Sequence, residues 1–489
     1  MKSWPQSPII CEINTWAWLD ELGRRYSRPI SLRDVPAEEW DAFSVTGFDA
    51  LWLMGVWERS PAGIRIARGL QTLRDDCRRI LPDCSSDDVT GSPYCVHRYR
   101  VDERLGGPEG LAAAREVLTE RGLKLILDFV PNHTAVDHPW VSEHPDYFIR
   151  GTGKDLKGSP EAFFKSEGSV FACGRDPFFP PWRDTAQVNA FRSGLRRAYV
   201  DTLLGVSGQC DGVRCDMAML LVGDVFEKTW GKRAGKRPRS EFWTEIIAAV
   251  RKASPDFLFI AEVYWDLETE LMKQGFDYCY DKKLYDLLVH GDAGGIRRHL
   301  EADPDGQRKL LRFIENHDEP RAASVFPPRR LQAASVAFAT LPGGKLFHEG
   351  QLEGREVRLP VQLGRRPAED VKEGCLSFYR KLIGEIRSGA IREGEWRPCG
   401  LSGWPDNGSF ENLLAWCRRK GEERRLVVIN CSDTPSQGHV RLPWGDLAGR
   451  VWKLEDLFSG ATYERDGKGM IDPGLFVDLG PWGFHFLRF

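Results

Sequence analysis

The chain has 489 residues, 42% of them hydrophobic, and its 68 lysines and arginines nearly cancel its 71 aspartates and glutamates. That length allows a large buried core and a second domain. The balanced charge excludes a general polyanion binder or a protein held to an anionic membrane, so neither nucleic acid nor membrane is expected as a partner.

The first residues, MKSWPQSPIICEINTW, contain no apolar run of signal-peptide length, and no later segment is apolar for long enough to span a bilayer. A cytoplasmic location is the expectation. The twelve cysteines fit it: Cys11, Cys215 and Cys279 fall inside strand-like apolar runs, no C-x-x-C pair occurs, and all are read as reduced core residues.

Eight strand candidates follow in order: 8–13, 48–56, 123–130, 211–216, 257–263, 276–281, 310–316 and 345–349. Between them the pattern turns helical. In one such stretch Gly106-Gly107-Pro108 opens a segment with Leu111, Ala114, Val117 and Leu118 at helical spacing, and Gly122 closes it. Runs such as LKLILDFV are apolar throughout, as strands covered on both faces require. The expected fold is an α/β (β/α)8 TIM barrel.

Asp128 and Asp216 are 88 residues apart, against 46 between Asp216 and Glu262, which places an inserted subdomain after the third strand. Its residues, 134–185, are rich in proline, glycine, histidine and aromatics and are expected to shape a cleft. The barrel then occupies 1–133 and 186–390. The basic run KRAGKRPR, Lys232 to Arg239, reads as a solvated loop. From 391 to 489 short β-rich segments alternate with turn-formers such as DNGS and SDTPSQG, the pattern of a C-terminal antiparallel β-sandwich.

Four of the strand candidates end in polar groups: DFVPNH at 128–133, GVRCD at 212–216, FIAE at 259–262 and ENHD at 315–318. A barrel brings the carboxyl ends of its strands to one face, so these groups share a surface. Asp216 and Glu262 end two of these runs in carboxyl groups. Arg214, two residues before Asp216 on one strand face, is placed to hold that carboxylate ionised. Glu262 is expected to carry a proton, helped by partial burial and by the Asp318 carboxylate. No phosphate-cradling glycine loop, H-E-x-x-H or G-x-S-x-G occurs.

These four segments, in this order and spacing, resemble the signature regions of glycoside hydrolase family 13, the α-amylase family. The resemblance implies a retaining α-glycosidase acting on α-glucosides or maltooligosaccharides through a covalent glycosyl-enzyme. It implies Asp216 as nucleophile, Glu262 as general acid/base and Asp318 as the carboxylate that grips sugar hydroxyls. His133, His317 and Arg214 match groups around the reacting sugar, Tyr94 matches the tyrosine that stacks on it, and Asp128 and Asn132 match supports of the third strand's end. Trp57, Trp140, Trp182 and Trp265 lie near strand ends or in the insertion and are read as structural.

Two departures bear on specificity. Cys95 stands where many α-glucosidases of the family have an aspartate after the tyrosine, and MAMLLV follows Asp216 where secreted amylases place lysine and histidine. A hard cation needs several oxygen ligands converging on one point. No metal or other cofactor is expected. A transglycosidase or phosphorylase would use the same intermediate, with Met217, Met219 and Leu220 on an apolar acceptor side and Arg355, Arg358, Arg365 and Arg366 available to an anion. A third alternative is a non-catalytic carbohydrate-binding or structural barrel, which the three retained carboxylates disfavour.

Overall fold

A computed structural model describes residues 3–489. Eight strands close a parallel barrel: β1 (Ile9–Asn14), β2 (Ala50–Met54), β3 (Lys124–Phe129), β4 (Gly212–Cys215), β5 (Leu258–Ala261), β6 (Tyr278–Tyr280), β7 (Leu310–Arg312) and β8 (Gly344–His348). Six lie inside segments expected from sequence, while β1 runs one residue past its segment and β8 begins one residue before its own. Every residue of β2, ALWLM, is buried, and five of the six in β3 are, as a sheet covered on both faces demands.

The expected helix after Gly106 runs Gly107–Glu120 and buries Leu111, Ala114 and Leu118. Gly106 caps it at φ +103°, and Gly122 turns the chain back at φ +73°, both in the left-handed region that favours glycine.

Strand register does the positioning. β3 pairs with β4 so that Asp128 lies opposite Arg214, and β4 pairs with β5 so that Cys215 lies opposite Ala261. The residues that follow, Asp216 and Glu262, are therefore neighbours at adjacent strand ends. Phe129 O accepts from Asp216 N at 2.8 Å, and Cys215 O accepts from Glu262 N at 3.1 Å.

After β3 the chain makes an excursion that is pinched at its base, where His133–Ala135 pairs antiparallel with Thr185–Gln187. Inside lie the short helices Pro139–Glu143 and Gly153–Gly158 and a hairpin of Phe163–Ser166 with Ser169–Ala172. Toward the C-terminus, a six-stranded antiparallel sheet and a three-stranded one enclose a core that includes Leu413, Val428, Val440, Leu454, Leu475 and Leu487.

The chain divides into two compact units. One comprises 1–4, 10–280 and 357–369; the other comprises 5–9, 281–356 and 370–489. The first contains β2 to β6 and all but the first residue of β1. In the second, Trp416 Nε1 donates to Thr340 Oγ1 at 3.1 Å and Arg418 Nε to Thr340 O at 3.1 Å, tying the C-terminal sheet to helix Pro328–Thr340.

The expectation of twelve reduced cysteines fails at one pair, Cys77 and Cys84, which form a disulfide. Cys77 sits on the buried side of helix Gln71–Ile80, and the turn after the helix brings Cys84 back to a Cα separation of 5.9 Å. Sequence spacing alone gave no sign of that return. Of the other ten, nine are buried, including Cys11, Cys215 and Cys279. Among the described residues no helix is long and apolar enough to cross a membrane. The basic run is mostly exposed, with Arg233 paired to Asp155 and Arg237 to Glu241.

Candidate active site

Arg214 is the centre of the polar group at the ends of β4 and β5. It is fully buried, and its two terminal nitrogens reach two different carboxylates: Nη1 lies 2.7 Å from Asp216 Oδ1 and Nη2 lies 2.8 Å from Glu262 Oε2. Only the Asp216 contact was expected from sequence, because the second depends on the β4–β5 register. Tyr94, Trp52 and Tyr280 place their rings 5.1, 5.3 and 5.7 Å from the guanidinium carbon. Burial works against the charge, yet Glu262, Tyr94, Tyr280 and Asp216 together hold Arg214 above the ordinary arginine range.

Glu262 has two more donors. Met217 N lies 2.6 Å from Oε2, and Tyr264 Oη lies 2.8 Å from Oε1. Met217 adopts φ +46°, a left-handed conformation unusual for a methionine. All three groups touching Glu262 are donors, so it is held here as an acceptor. The sequence argument had expected partial burial and a neighbouring carboxylate, Asp318; Glu262 is 3% exposed. Sequence reasoning also missed Tyr264, although its place two residues after Glu262 puts both side chains on one face of an extended segment.

Asp128 is fully buried and braces the neighbouring strand end, accepting from Trp52 Nε1 at 3.1 Å and Gly55 N at 2.8 Å. Trp57 is likewise internal, donating from Nε1 to Asp128 O at 2.7 Å. His133 stands against Trp182 with ring centroids 5.0 Å apart, and burial pushes its imidazole down to about 4. It is therefore neutral near pH 7. Tyr94 is half-buried over Arg214, whereas Cys95 turns inward and places its thiol 3.0 Å from Asp184 O.

Asn132 is one of a buried pair with Gln187, which sequence reasoning overlooked. Gln187 Nε2 donates to Asn132 O at 2.9 Å, Asn132 Oδ1 at 3.1 Å and Val188 O at 3.1 Å. Three oxygens thus share the two N–H groups of one neutral amide, with Val188 N also donating to Asn132 O at 3.3 Å, and this bolts the end of β3 to the returning strand without a cation. Among the described residues, the one cluster with metal-ligand spacing is Cys77, Cys84 and Asp88, whose two sulfurs are bonded to each other.

In the second unit the segment after β7 is shaped by its own side chains. Asn316 Oδ1 accepts from Asp318 N and Glu319 N, both at 2.9 Å. Glu315 accepts from Arg321 Nη1 at 2.8 Å and Ala322 N at 2.7 Å, while His348 Nδ1 lies 2.8 Å from the same Arg321 nitrogen. This clamp ends the strand earlier than its apolar run predicts, at Arg312, and presents His317 and Asp318, whose Nε2 and Oδ2 are 3.0 Å apart. Two of the four arginines offered to an anion are engaged elsewhere: Arg365 pairs with Asp83 and Asp88, and Arg366 with Glu21 at 2.6 Å. Met219 and Leu220 are buried, which leaves Met217 as the partly exposed member of the expected apolar acceptor side.

The two carboxylates thus share one buried guanidinium, each on its own terminal nitrogen. The model of the alpha amylase catalytic domain matches residues 46–278. An "Alpha-amylase MalA" of Haloarcula japonica is 24% identical over 459 residues, covering 91% of this chain, and the match spans 58% of the relative's own length. An alpha-1,4-glucan:maltose-1-phosphate maltosyltransferase of Rhodospirillum rubrum is 22% identical, covering 86% of this chain and 58% of the relative. In fold, the chain is similar to a noncanonic maltogenic alpha-amylase from Thermotoga neapolitana, with a TM-score of 0.69, 18% identity and coverage of 99% and 98% of the two chains.

Proposed function

Since residues 46–278 of this chain belong to the alpha-amylase family's catalytic domain, we propose that it is a retaining α-glycosidase acting on α-glucosides or maltooligosaccharides. Asp216 attacks the anomeric carbon while Glu262 gives a proton to the departing oxygen; the C–O bond to the leaving sugar breaks as the ester to Asp216 forms. Glu262, now a carboxylate, takes a proton from water, whose oxygen displaces Asp216 with net retention. Asp318 and His317 hold hydroxyls of the reacting ring. His133, neutral, and Tyr94 bind its other edges, and Arg214 keeps Asp216 ionised and oriented.

The observation that carries this reading is the shared guanidinium, with Asp216 at 2.7 Å and Glu262 at 2.8 Å. A surface or structural carboxylate has no need of such a buried arrangement, and breaking it leaves charge stranded. Tyr264 and Met217, both donating to Glu262, support the base half of the cycle, in which that carboxylate must be aimed rather than free to turn. Gln187 takes the oxygens around Asn132, so the reading includes no metal.

D216N and E262Q test it. Each is expected to cut kcat on α-maltosyl fluoride or a maltooligosaccharide by roughly 10³-fold or more while circular dichroism is unchanged; near-normal turnover in either variant sinks the assignment. The anomeric configuration of the first product, read by NMR, is expected to be α.

Transfer to a sugar hydroxyl instead of water is the second reading, favoured by the match to a maltosyltransferase and by Met217 beside the nucleophile. Product analysis with and without an acceptor sugar or phosphate separates the two outcomes. A cytoplasmic location is proposed with this activity: nine of the ten cysteines outside the Cys77–Cys84 pair are buried, as core residues are.

A further inference from the structure

The Cys77–Cys84 disulfide joins two unlike environments. Cys77 is buried in a satellite cluster with Ala67, Leu73, Leu81, Val89 and Leu363, whereas Cys84 is half-buried. A reagent arriving from solvent therefore meets Cys84 first. The bond links residues only 7 apart, and a short loop restricts the unfolded chain less than a long one, so its effect on the native protein is local.

The residues just after Cys84 form a wall. Asp88 O accepts from Gly364 N at 2.8 Å, Val89 bridges Leu363 antiparallel, and Gln362 O accepts from Thr90 N at 2.8 Å, so 88–90 run against 362–364 as a strap. Arg365 fastens it, with Nε 2.6 Å from Asp88 Oδ1 and Nη1 3.0 Å from Asp83 Oδ1. Asp88, Thr90, Gly364 and Arg365 line a cavity of about 600 Å³ together with Trp16, which stands two residues past the end of β1 on the carboxyl-end rim of the barrel. From the wall the chain continues to the site. Thr90 Oγ1 and Gly91 O both accept from Arg59 Nη1 at 2.6 Å, Ser92 Oγ accepts from Tyr94 N at 3.1 Å, and Tyr94 lies over Arg214.

We propose that Cys84 is a site of thiol–disulfide exchange, and that opening its bond to Cys77 releases the 83–90 wall and weakens sugar binding while leaving the chemical step intact. A thiolate of a dithiol reductant attacks Sγ of Cys84 and the S–S bond breaks, Cys77 leaving with the electron pair and taking up a proton. The reductant's second thiol then displaces Cys84, so two thiols form here as the dithiol is oxidised to its own disulfide. In a compartment that keeps thiols reduced, a protein disulfide is usually transient and redox-sensing. The loss falls on binding because Asp216 and Glu262 are held by the register of β4 with β5, which the wall does not enter. The effect on sugar rests on the glycosidase reading; the exchange itself does not.

The test treats the native parent with dithiothreitol, then counts cysteines alkylated after denaturation and follows amide hydrogen exchange and kinetics. Labelling is expected to rise from ten cysteines to twelve. Hydrogen exchange in 81–90 should rise about tenfold, and KM for maltohexaose about threefold or more at unchanged kcat. Oxidised glutathione should reverse all three. C84S is expected to match the reduced parent and to ignore the reductant, and because the parent is reduced without any substitution, the result does not depend on how well C84S folds. A native parent that still labels at ten overturns the exchange site, and twelve labels with hydrogen exchange and KM unchanged overturn the release of the wall. A parent that does not turn over maltohexaose overturns the glycosidase reading instead, and the labelling and hydrogen exchange then still decide the switch.

Discussion

Replacing Arg214 by methionine tests the electrostatic core of the site. The guanidinium is fully buried, paired to Asp216 and Glu262 and faced by three aromatic rings. Methionine keeps much of the stem volume and removes the charge. Two carboxylates, 5% and 3% exposed, then face each other without a counter-ion. Breaking a buried ion pair by removing one partner costs ~3–5 kcal/mol, and loss of the ring contacts adds to it. R214M is therefore expected to lose about 4 kcal/mol at neutral pH, measured by urea denaturation followed through tryptophan fluorescence.

Removing the carboxylates as well gives an independent check. In the triple variant R214M/D216N/E262Q no charge remains at these three positions, and more than half of the lost stability should return. An R214M as stable as the parent, or a triple variant no better than R214M, would each refute the shared-guanidinium account.

Other expectations follow from the same geometry. Burial pushes His133 down to about 4 and His138 to about 3, from an ordinary 6.5, so the unfolded chain protonates first and stability present above pH 6.5 is lost on acidification toward those values. The His133 contribution is ~3 kcal/mol, and H138N, which preserves a helix cap, should flatten the acid limb; an unchanged slope contradicts this. Q187A removes a donor shared by three buried oxygens, of which Asn132 O keeps Val188 N, and is expected to cost ~1–3 kcal/mol and raise KM, while EDTA leaves the parent's activity intact; chelator loss restored by calcium would refute the metal-free reading. Thiol titration of the unfolded, unreduced chain should find ten of the twelve cysteines, and twelve would exclude the Cys77–Cys84 bond.

Much of this protein was legible in its sequence because the determining signals are local. Apolar runs such as ALWLM and LKLILDF specify strands covered on both faces, and Gly106 and Gly122 bracket a helix through backbone conformations that other residues resist. The polar groups Asp216, Glu262 and Asp318 were visible because each sits just after such a run. What sequence could not give was partnership across strands. That Arg214 reaches Glu262 as well as Asp216 depends on the β4–β5 register, and that Gln187 satisfies Asn132 depends on a chain excursion returning after 55 residues. Cys77 meeting Cys84, Arg365 spent on Asp83 and Asp88, and Trp265 left open to solvent are likewise settled by packing. The physical reason is common to all of these: hydrophobic periodicity is written along the chain, whereas a side chain's charge partner and exposure are fixed only when distant segments meet.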